Sequence, residues 1–491
     1  MSNLAKLFDE AKRRLRRFDR HLTTVEPQRA ITSLIVAAVI IFVPLYSAMQ
    51  VSRAAVVDSS GTTSATAESS ESPSEPLFSV RRIAPTLVIE TQTAGIRLGL
   101  STLTRKLPGA SCLVAAMNGR NLANYAGDFP LPPASNMKLL VAATALEVLG
   151  PDHRFETRLV GRRFGSTIAG NLWLVGGGDP LLSTRAYPPT QRLRTISPTY
   201  LDALADEIAA SGITMISGSV VGDESRYDKE RFVPTWGDGI RSIEAGPLSA
   251  LLVDDGSLVG EPLKPANPAI AAATAFTRLL ESRGVRVLGV PTTGVAPTDG
   301  DVLARLTSAS LAAGFVDLLT NSDNNAAELL LREIGLVRAN EPTRVAGLRV
   351  MADVLTTLGV PMEGVVLADG SGLDGGNRVT CATLTSLLDQ FGPTSPIGQS
   401  LALAGATGTL QDVLTTGPAD GRMRAKTGTL RNVKSLSGFF PTGDQTITFA
   451  LILTGPGVSN QSAYRPVWNE MIDAFAAYKS GPRLDALKPR E

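Results

Sequence analysis

Three short segments hold residue types that can do chemistry together. Ser135 and Lys138, in Pro133-Ala134-Ser135-Asn136-Met137-Lys138, stand three residues apart. On a helix that offset puts both side chains on one face, a turn apart. A serine in the first turn meets free backbone N–H groups and the positive end of the helix dipole, where negative charge is favoured. A lysine pressed into a packed groove loses its proton more readily, because burial disfavours the charged form. The pair can therefore act as nucleophile and base. Ser-x-x-Lys alone also describes an ordinary capped helix, so the other two segments carry the decision.

Ser322-Asp323-Asn324 lies between an apolar stretch (312–320) and a helical run (326–334). A hydroxyl and a carboxamide two residues apart on a short loop can point into one cleft. The same residues also cap a helix well, with Glu328 in the first turn as support. Lys426-Thr427-Gly428-Thr429 precedes two strand-like runs, 433–440 and 446–453, joined by Pro441-Thr442-Gly443-Asp444-Gln445. That pattern is an antiparallel pair, with Lys426 on an edge strand before it. There Gly428 lets a substrate backbone approach, and the strand can pair with an extended peptide. The Lys426 amine and the hydroxyls of Thr427 and Thr429 offer a site for a terminal carboxylate.

The elements that must position these groups are legible in outline. Apolar residues from Met137 to Leu149 continue the Ser135 helix, and Gly150 ends it. Residues 112–117 read as a strand entering an Asn118-Gly119 hairpin, with 121–125 as the return strand. Between the first and second segments the chain alternates strand-like runs (172–175, 215–222, 285–287) with helical ones (200–211, 269–283). This stretch reads as an inserted mixed α/β domain. Gly176-Gly177-Gly178-Asp179-Pro180 reads as a tight turn, since no Gly-Lys-Ser/Thr follows and no helix opens on it. Asp369-Gly370-Ser371-Gly372-Leu373 likewise reads as a tight turn, with a cleft-lining loop as the alternative.

The rare residues exclude several chemistries. Histidine occurs only as His21 and His153. His21 lies in a basic N-terminal segment, and His153 follows Gly150-Pro151-Asp152 and reads as a solvated loop residue. A Ser-His-Asp triad would depend on His153, and a multi-histidine metal site cannot be built. Cys112 and Cys381, the only cysteines, are too few for a zinc cluster. They form either one bridge or two separate thiols, and sequence does not place their Cα atoms. A net charge of +1 gives no reason to expect nucleic-acid binding.

Residues 1–30 are polar and basic, and 31–50 contain an almost unbroken apolar run free of charge. The run is long enough to span a bilayer, and the arginines before it put the N-terminus in the cytoplasm. A retained single-span anchor is expected, with signal cleavage and secretion as the alternative. Residues 51–79 form a Ser/Thr/Glu-rich tether too polar to fold.

In this order and setting, the three segments resemble those of the class C low-molecular-mass penicillin-binding proteins, the D-alanyl-D-alanine carboxypeptidase/endopeptidase family of serine peptidases. The resemblance covers most of residues 80–478 and includes the Gly176–Pro180 and Asp369–Leu373 motifs and Gly408-Thr409-Leu410. It implies an α/β (α+β) transpeptidase-like fold, an antiparallel sheet flanked by helices, formed by 80–154 and 308–480. An inserted domain at 155–307 and a tail at 481–491 complete the chain. It further implies acyl transfer: Ser135 attacks, Lys138 takes its proton, and the backbone N–H groups of Ser135 and Thr429 hold the oxyanion. Ser322 and Lys426 pass a proton to the leaving D-alanine, Asn324 holds the peptide amide, and Thr427 and Thr429 bind the terminal carboxylate. The expected partners are peptidoglycan stem peptides ending in D-Ala-D-Ala, and β-lactams as acylating inhibitors, with no metal or cofactor. A serine β-lactamase would want a deacylating glutamate with a nearby amide, and Glu363 has no such companion. A catalytically inactive wall-binding protein would be expected to lose Ser135 or Lys138, and both are present.

Overall fold

The computed structural model describes residues 85–478. The basic segment, the apolar span, the tether and the tail at 481–491 lie outside the described residues. Among the described residues no helix is long and apolar enough to cross a membrane.

The site is carried by a six-stranded antiparallel sheet. Its strands run in the order Ala402–Leu403, Arg424–Leu430, Val433–Thr442, Gln445–Thr454, Cys112–Met117, Arg120–Tyr125. Period-two alternation aims successive side chains at opposite faces. Leu436, Phe440, Ile447, Phe449 and Leu451 enter one core, beneath helices Pro85–Thr104 and Gln461–Ala476. Val433, Phe439, Ala450 and Ile452 enter the other, against helices Met137–Leu149 and Cys381–Phe391. With both faces covered, the two long strands are buried almost throughout, polar residues such as Ser435 and Ser437 included. Cys112 and Cys381 are bridged, with Cα atoms 6.0 Å apart, tying the start of a sheet strand to the first residue of the helix over it.

A second sheet, of seven strands, draws all its strands from residues 156–307. Helices Asp202–Ala210 and Pro268–Glu281 share its core. Strand Asp301–Thr307 returns antiparallel along Glu156–Phe164. The chain thus comes back to where it left: Ser308 N donates to Phe155 O at 2.9 Å, and Phe155 N to Ser308 Oγ at 2.9 Å. The run expected as one strand over 215–222 is two short strands, Met215–Ile216 and Val220–Asp223.

Residues 224–248 leave the second sheet, and Leu251 and Val253 then return to its core. The departing segment crosses onto helix Asn324–Ala339 through Arg226–Glu333 and Arg332 between Asp228 and Glu230, and onto helix Arg344–Thr357 through Arg344–Glu230. His153 is a correction to the sequence reading. It is half-buried, 3.5 Å from Glu333 and edge-on to Phe155, with its pKa lowered first by burial.

Candidate active site

Ser135 lies in a 3₁₀ turn, Ala134–Asn136, rather than in the α-helix, which begins at Met137. In 3₁₀ geometry residues i and i+3 eclipse, so Ser135 and Lys138 still align. The helix after the turn is buried continuously from Met137 to Ala145, which explains its lack of a polar stripe. Ala134 adopts a left-handed φ of 50°, a conformation that persists only where the surroundings impose it. Two glycines impose it here. A Cβ on Gly428 would meet Pro133 O at 2.8 Å and Ala134 Cβ at 3.0 Å, and one on Gly372 would collide with Ala134 O. Gly428 was expected to make room for substrate; in the fold it makes room for the nucleophile turn. Asn136 ties the same turn to the sheet through Ser435 Oγ, which donates to Pro133 O at 2.8 Å.

Lys138 has no solvent exposure. Its Nζ lies 3.0 Å from Ser135 Oγ, 2.7 Å from Asn324 Oδ1 and 2.7 Å from Ser371 O. Asn324 Nδ2 donates to Glu244 O at 2.8 Å, which fixes the orientation of its amide. The amide oxygen and the Ser371 carbonyl only accept, so each takes one N–H of the amine. A neutral amine then has its lone pair left for the Ser135 hydroxyl proton. Burial is the largest influence on Lys138 and lowers its pKa to about 8, against the opposing pull of Asp369, Asp323, Glu328 and Glu244. The expectation that Asn324 holds a substrate amide is modified: both of its amide atoms are engaged by the protein.

Ser322 follows a π turn, has a left-handed φ of 69°, and stands just before Asp323, whose carboxylate caps helix Asn324–Ala339 through Ala326 N at 2.9 Å. The segment is therefore a helix cap and a site element together. Lys426, also fully buried, donates to Ser322 Oγ at 2.9 Å and Thr427 O at 2.9 Å. Burial and then the neighbouring Lys138 amine push its pKa well down, so the two amines share one electrostatic neighbourhood. Strand Ala402–Leu403 pairs only with Ala425 and Arg424. From Lys426 onward that edge has no strand partner among the described residues and remains open to an extended peptide. Thr429 is exposed, and its Oγ1 accepts from Lys434 Nζ at 2.8 Å, leaving the hydroxyl hydrogen for an anionic ligand.

The fold thus gathers Ser135, Lys138, Ser322, Asn324, Lys426 and Gly428 on one groove, with Thr427 and Thr429 along its strand wall. It also adds residues that the sequence did not reveal. Asp369–Gly372 is no ordinary turn: it is buried, and it supplies the Ser371 carbonyl to Lys138. The crossing segment supplies Glu244 O to Asn324, and Trp236, whose Nε1 donates to Asp369 Oδ2 at 2.9 Å. Backbone carbonyls carry no sequence signature. The Asp-Gly-Ser-Gly motif was the only available signal, and it points to a tight turn more readily than to a cleft-lining loop.

A serine hydroxyl against a buried amine of lowered pKa, beside a Ser/Lys pair and an open strand edge, defines a serine acyl-transfer enzyme of the penicillin-interacting type. The sequence pattern of the D-Ala-D-Ala carboxypeptidase 3 (S13) family matches residues 102–266 and 259–477, and the chain belongs to that family. It is 32% identical over 431 residues to a D-alanyl-D-alanine carboxypeptidase of Actinomadura sp. (strain R39), covering 70% of this chain and 77% of the relative. It is 31% identical over 367 residues to a carboxypeptidase of Mycobacterium tuberculosis, covering 72% and 78%. The crystal structure of penicillin binding protein 4 from Haemophilus influenzae superposes with a TM-score of 0.64 at 23% identity, covering 78% of this chain and 99% of that one.

Proposed function

We infer that the protein is a serine D-alanyl-D-alanine carboxypeptidase that trims peptidoglycan stem peptides through an acyl-enzyme on Ser135. The observation that carries this reading is the Lys138 amine, buried, with two acceptors taking its N–H groups and Ser135 Oγ at 3.0 Å. Neutral Lys138 takes the hydroxyl proton as Ser135 attacks the carbonyl between the two D-alanines. The backbone N–H groups of Ser135 and Thr429 hold the oxyanion. Ser322, held by Lys426, delivers a proton to the departing amine. Thr427 and Thr429 bind the terminal carboxylate, with Lys434 adding positive charge behind Thr429. Water then releases the shortened peptide. β-Lactams present the same carbonyl and acylate Ser135, but their amine stays tethered and the adduct persists. Cross-link cleavage uses the same steps with a larger leaving amine.

We further propose that the catalytic body works outside the cytoplasmic membrane, on a single span within 31–50, with the inserted domain at 155–307. The charge asymmetry around the apolar run supports this orientation, and the Cys112–Cys381 bridge suits an oxidising compartment. Intact-mass analysis of the chain with penicillin tests the chemistry. One adduct is expected, absent in Ser135→Ala; an adduct that survives the substitution refutes the assignment. Digestion of muropeptides then separates D-alanine release from cross-link cleavage. Membrane fractionation reads the anchor, and recovery of a shortened chain from the medium would favour signal cleavage.

A further inference from the structure

The mechanism above makes no use of Glu328, although it has no solvent exposure and one carboxyl oxygen, Oε2, lacks any hydrogen-bond partner. The sequence suggested a first-turn acid supporting a helix cap. In the fold its Oε1 accepts instead from Gly370 N at 3.0 Å and Ser371 N at 2.8 Å. Those two amides belong to the loop whose next carbonyl, Ser371 O, takes an N–H of Lys138. Glu328 stands four residues after Asn324, on the same face of helix Asn324–Ala339. Asn324 supplies the other acceptor of that amine. One helix face therefore dictates both acceptors of the base, one directly and one through the loop.

We propose that Glu328 is a positioning residue for the Lys138 base: it pins the Gly370–Ser371 backbone so that the amine's lone pair is directed at Ser135, and its charge state biases that of the amine. The proposal rests on the acyl-enzyme reading and deepens it. Two requirements follow from the geometry. Without the Oε1 acceptor, two buried N–H groups lose their partner and the Ser371 carbonyl loses its support, which costs the base its alignment. With Oε2 unpartnered in a buried site, a full negative charge is poorly solvated, and a proton there relieves it. In keeping with this, burial and then Asp369 raise the Glu328 pKa to about 7, against the Arg332 guanidinium. The other charged groups facing this cluster are Asp369 on the loop, Asp323 at the helix cap, Glu244 on the crossing segment and Arg344, which donates to Ala368 O at 2.8 Å. Lys426 completes the set from the strand. None of these lies between Glu328 and the loop amides it holds.

The test is the rate of acylation by a fluorescent penicillin, measured across pH on the whole chain, for wild type, Glu328→Ala and Glu328→Gln. The alanine variant is expected to acylate about 100-fold more slowly on the alkaline plateau, the size of loss that misplacing a reacting group produces, with its acid limb moved in the same direction as that of glutamine. Glutamine keeps an acceptor oxygen but never carries a charge. It is expected to retain most of the rate at alkaline pH, while the acid limb of the profile moves to lower pH, because an anionic neighbour that held the Lys138 proton is gone. A purely structural carboxylate would leave that limb in place. The proposal is overturned by an alanine variant that acylates at the wild-type rate, by a glutamine profile that coincides with wild type, or by a folded glutamine variant as slow as alanine at every pH. Failure of the underlying reading is seen separately, as an adduct that forms without Ser135.

Discussion

Asn324→Asp puts the Lys138 base to its most direct test. The substitution is nearly isosteric, and the replaced amide oxygen lies 2.7 Å from the amine. With its pKa lowered to about 8, Lys138 is neutral in roughly a quarter of molecules at pH 7.5, against about one in a thousand for an ordinary lysine. An opposite charge in contact favours the protonated amine and raises its pKa by about 1–3 units. Taking about two units, the neutral fraction at pH 7.5 falls to about 0.3%, and acylation slows by roughly 80-fold. Because only the neutral amine accepts the proton, the rate rises with pH through the amine pKa: through about 8 in wild type, and through roughly 10 in the variant. The assay is the second-order rate of acylation by a fluorescent penicillin from mildly acid to strongly alkaline pH. Ser135→Ala serves as the blank, and a thermal melt confirms folding. The reasoning is refuted if the Asn324→Asp profile overlays wild type. It is equally refuted if the variant is slow by one constant factor at every pH, since that would be a loss of geometry without any change in the base.

Three further expectations follow. Gly428→Ala drives a methyl group against Pro133 O and Ala134 Cβ, so acylation should fall by about 100-fold and the melting temperature should drop. A variant as fast and as stable as wild type would show that the nucleophile turn is not wedged as described. Ser322→Ala removes the hydroxyl that Lys426 holds and should lower turnover of a D-Ala-D-Ala peptide by about 10²–10⁴-fold; unchanged turnover excludes the proton relay. Reducing the Cys112–Cys381 bridge opens a loop of sequence separation 269 and should cost up to about 5 kcal/mol of stability. It should do so without slowing acylation of the molecules that remain folded, which differential scanning calorimetry and adduct counting read separately.

What was legible from sequence divides by the kind of interaction involved. The strands at 433–442 and 445–454 are legible to within two residues because apolar and β-branched residues recur along both and a Pro-Thr-Gly-Asp-Gln turn stands between them. The Ser135–Lys138 relation survived a local error, since the serine sits in a 3₁₀ turn and not in the α-helix. An offset of three aligns side chains in either geometry. Capping chemistry is local and identifies Asp323, whereas the pairing of Ser322 with Lys426 across 104 residues of chain came only from the family resemblance, since no local pattern links them.

The order of the three chemical segments, and the residue types within them, are properties of the sequence, and on their own they pointed to the reaction class and to Ser135 as its nucleophile. Tertiary structure decided how the base is made neutral and aimed. That rests on the Ser371 carbonyl, the Glu244 carbonyl that orients Asn324, and the closeness of two glycines to one turn. A carbonyl is the same group in every residue, and a lysine loses its proton only when the fold removes water from it. Neither fact is written in residue identity, so both waited for the packed chain.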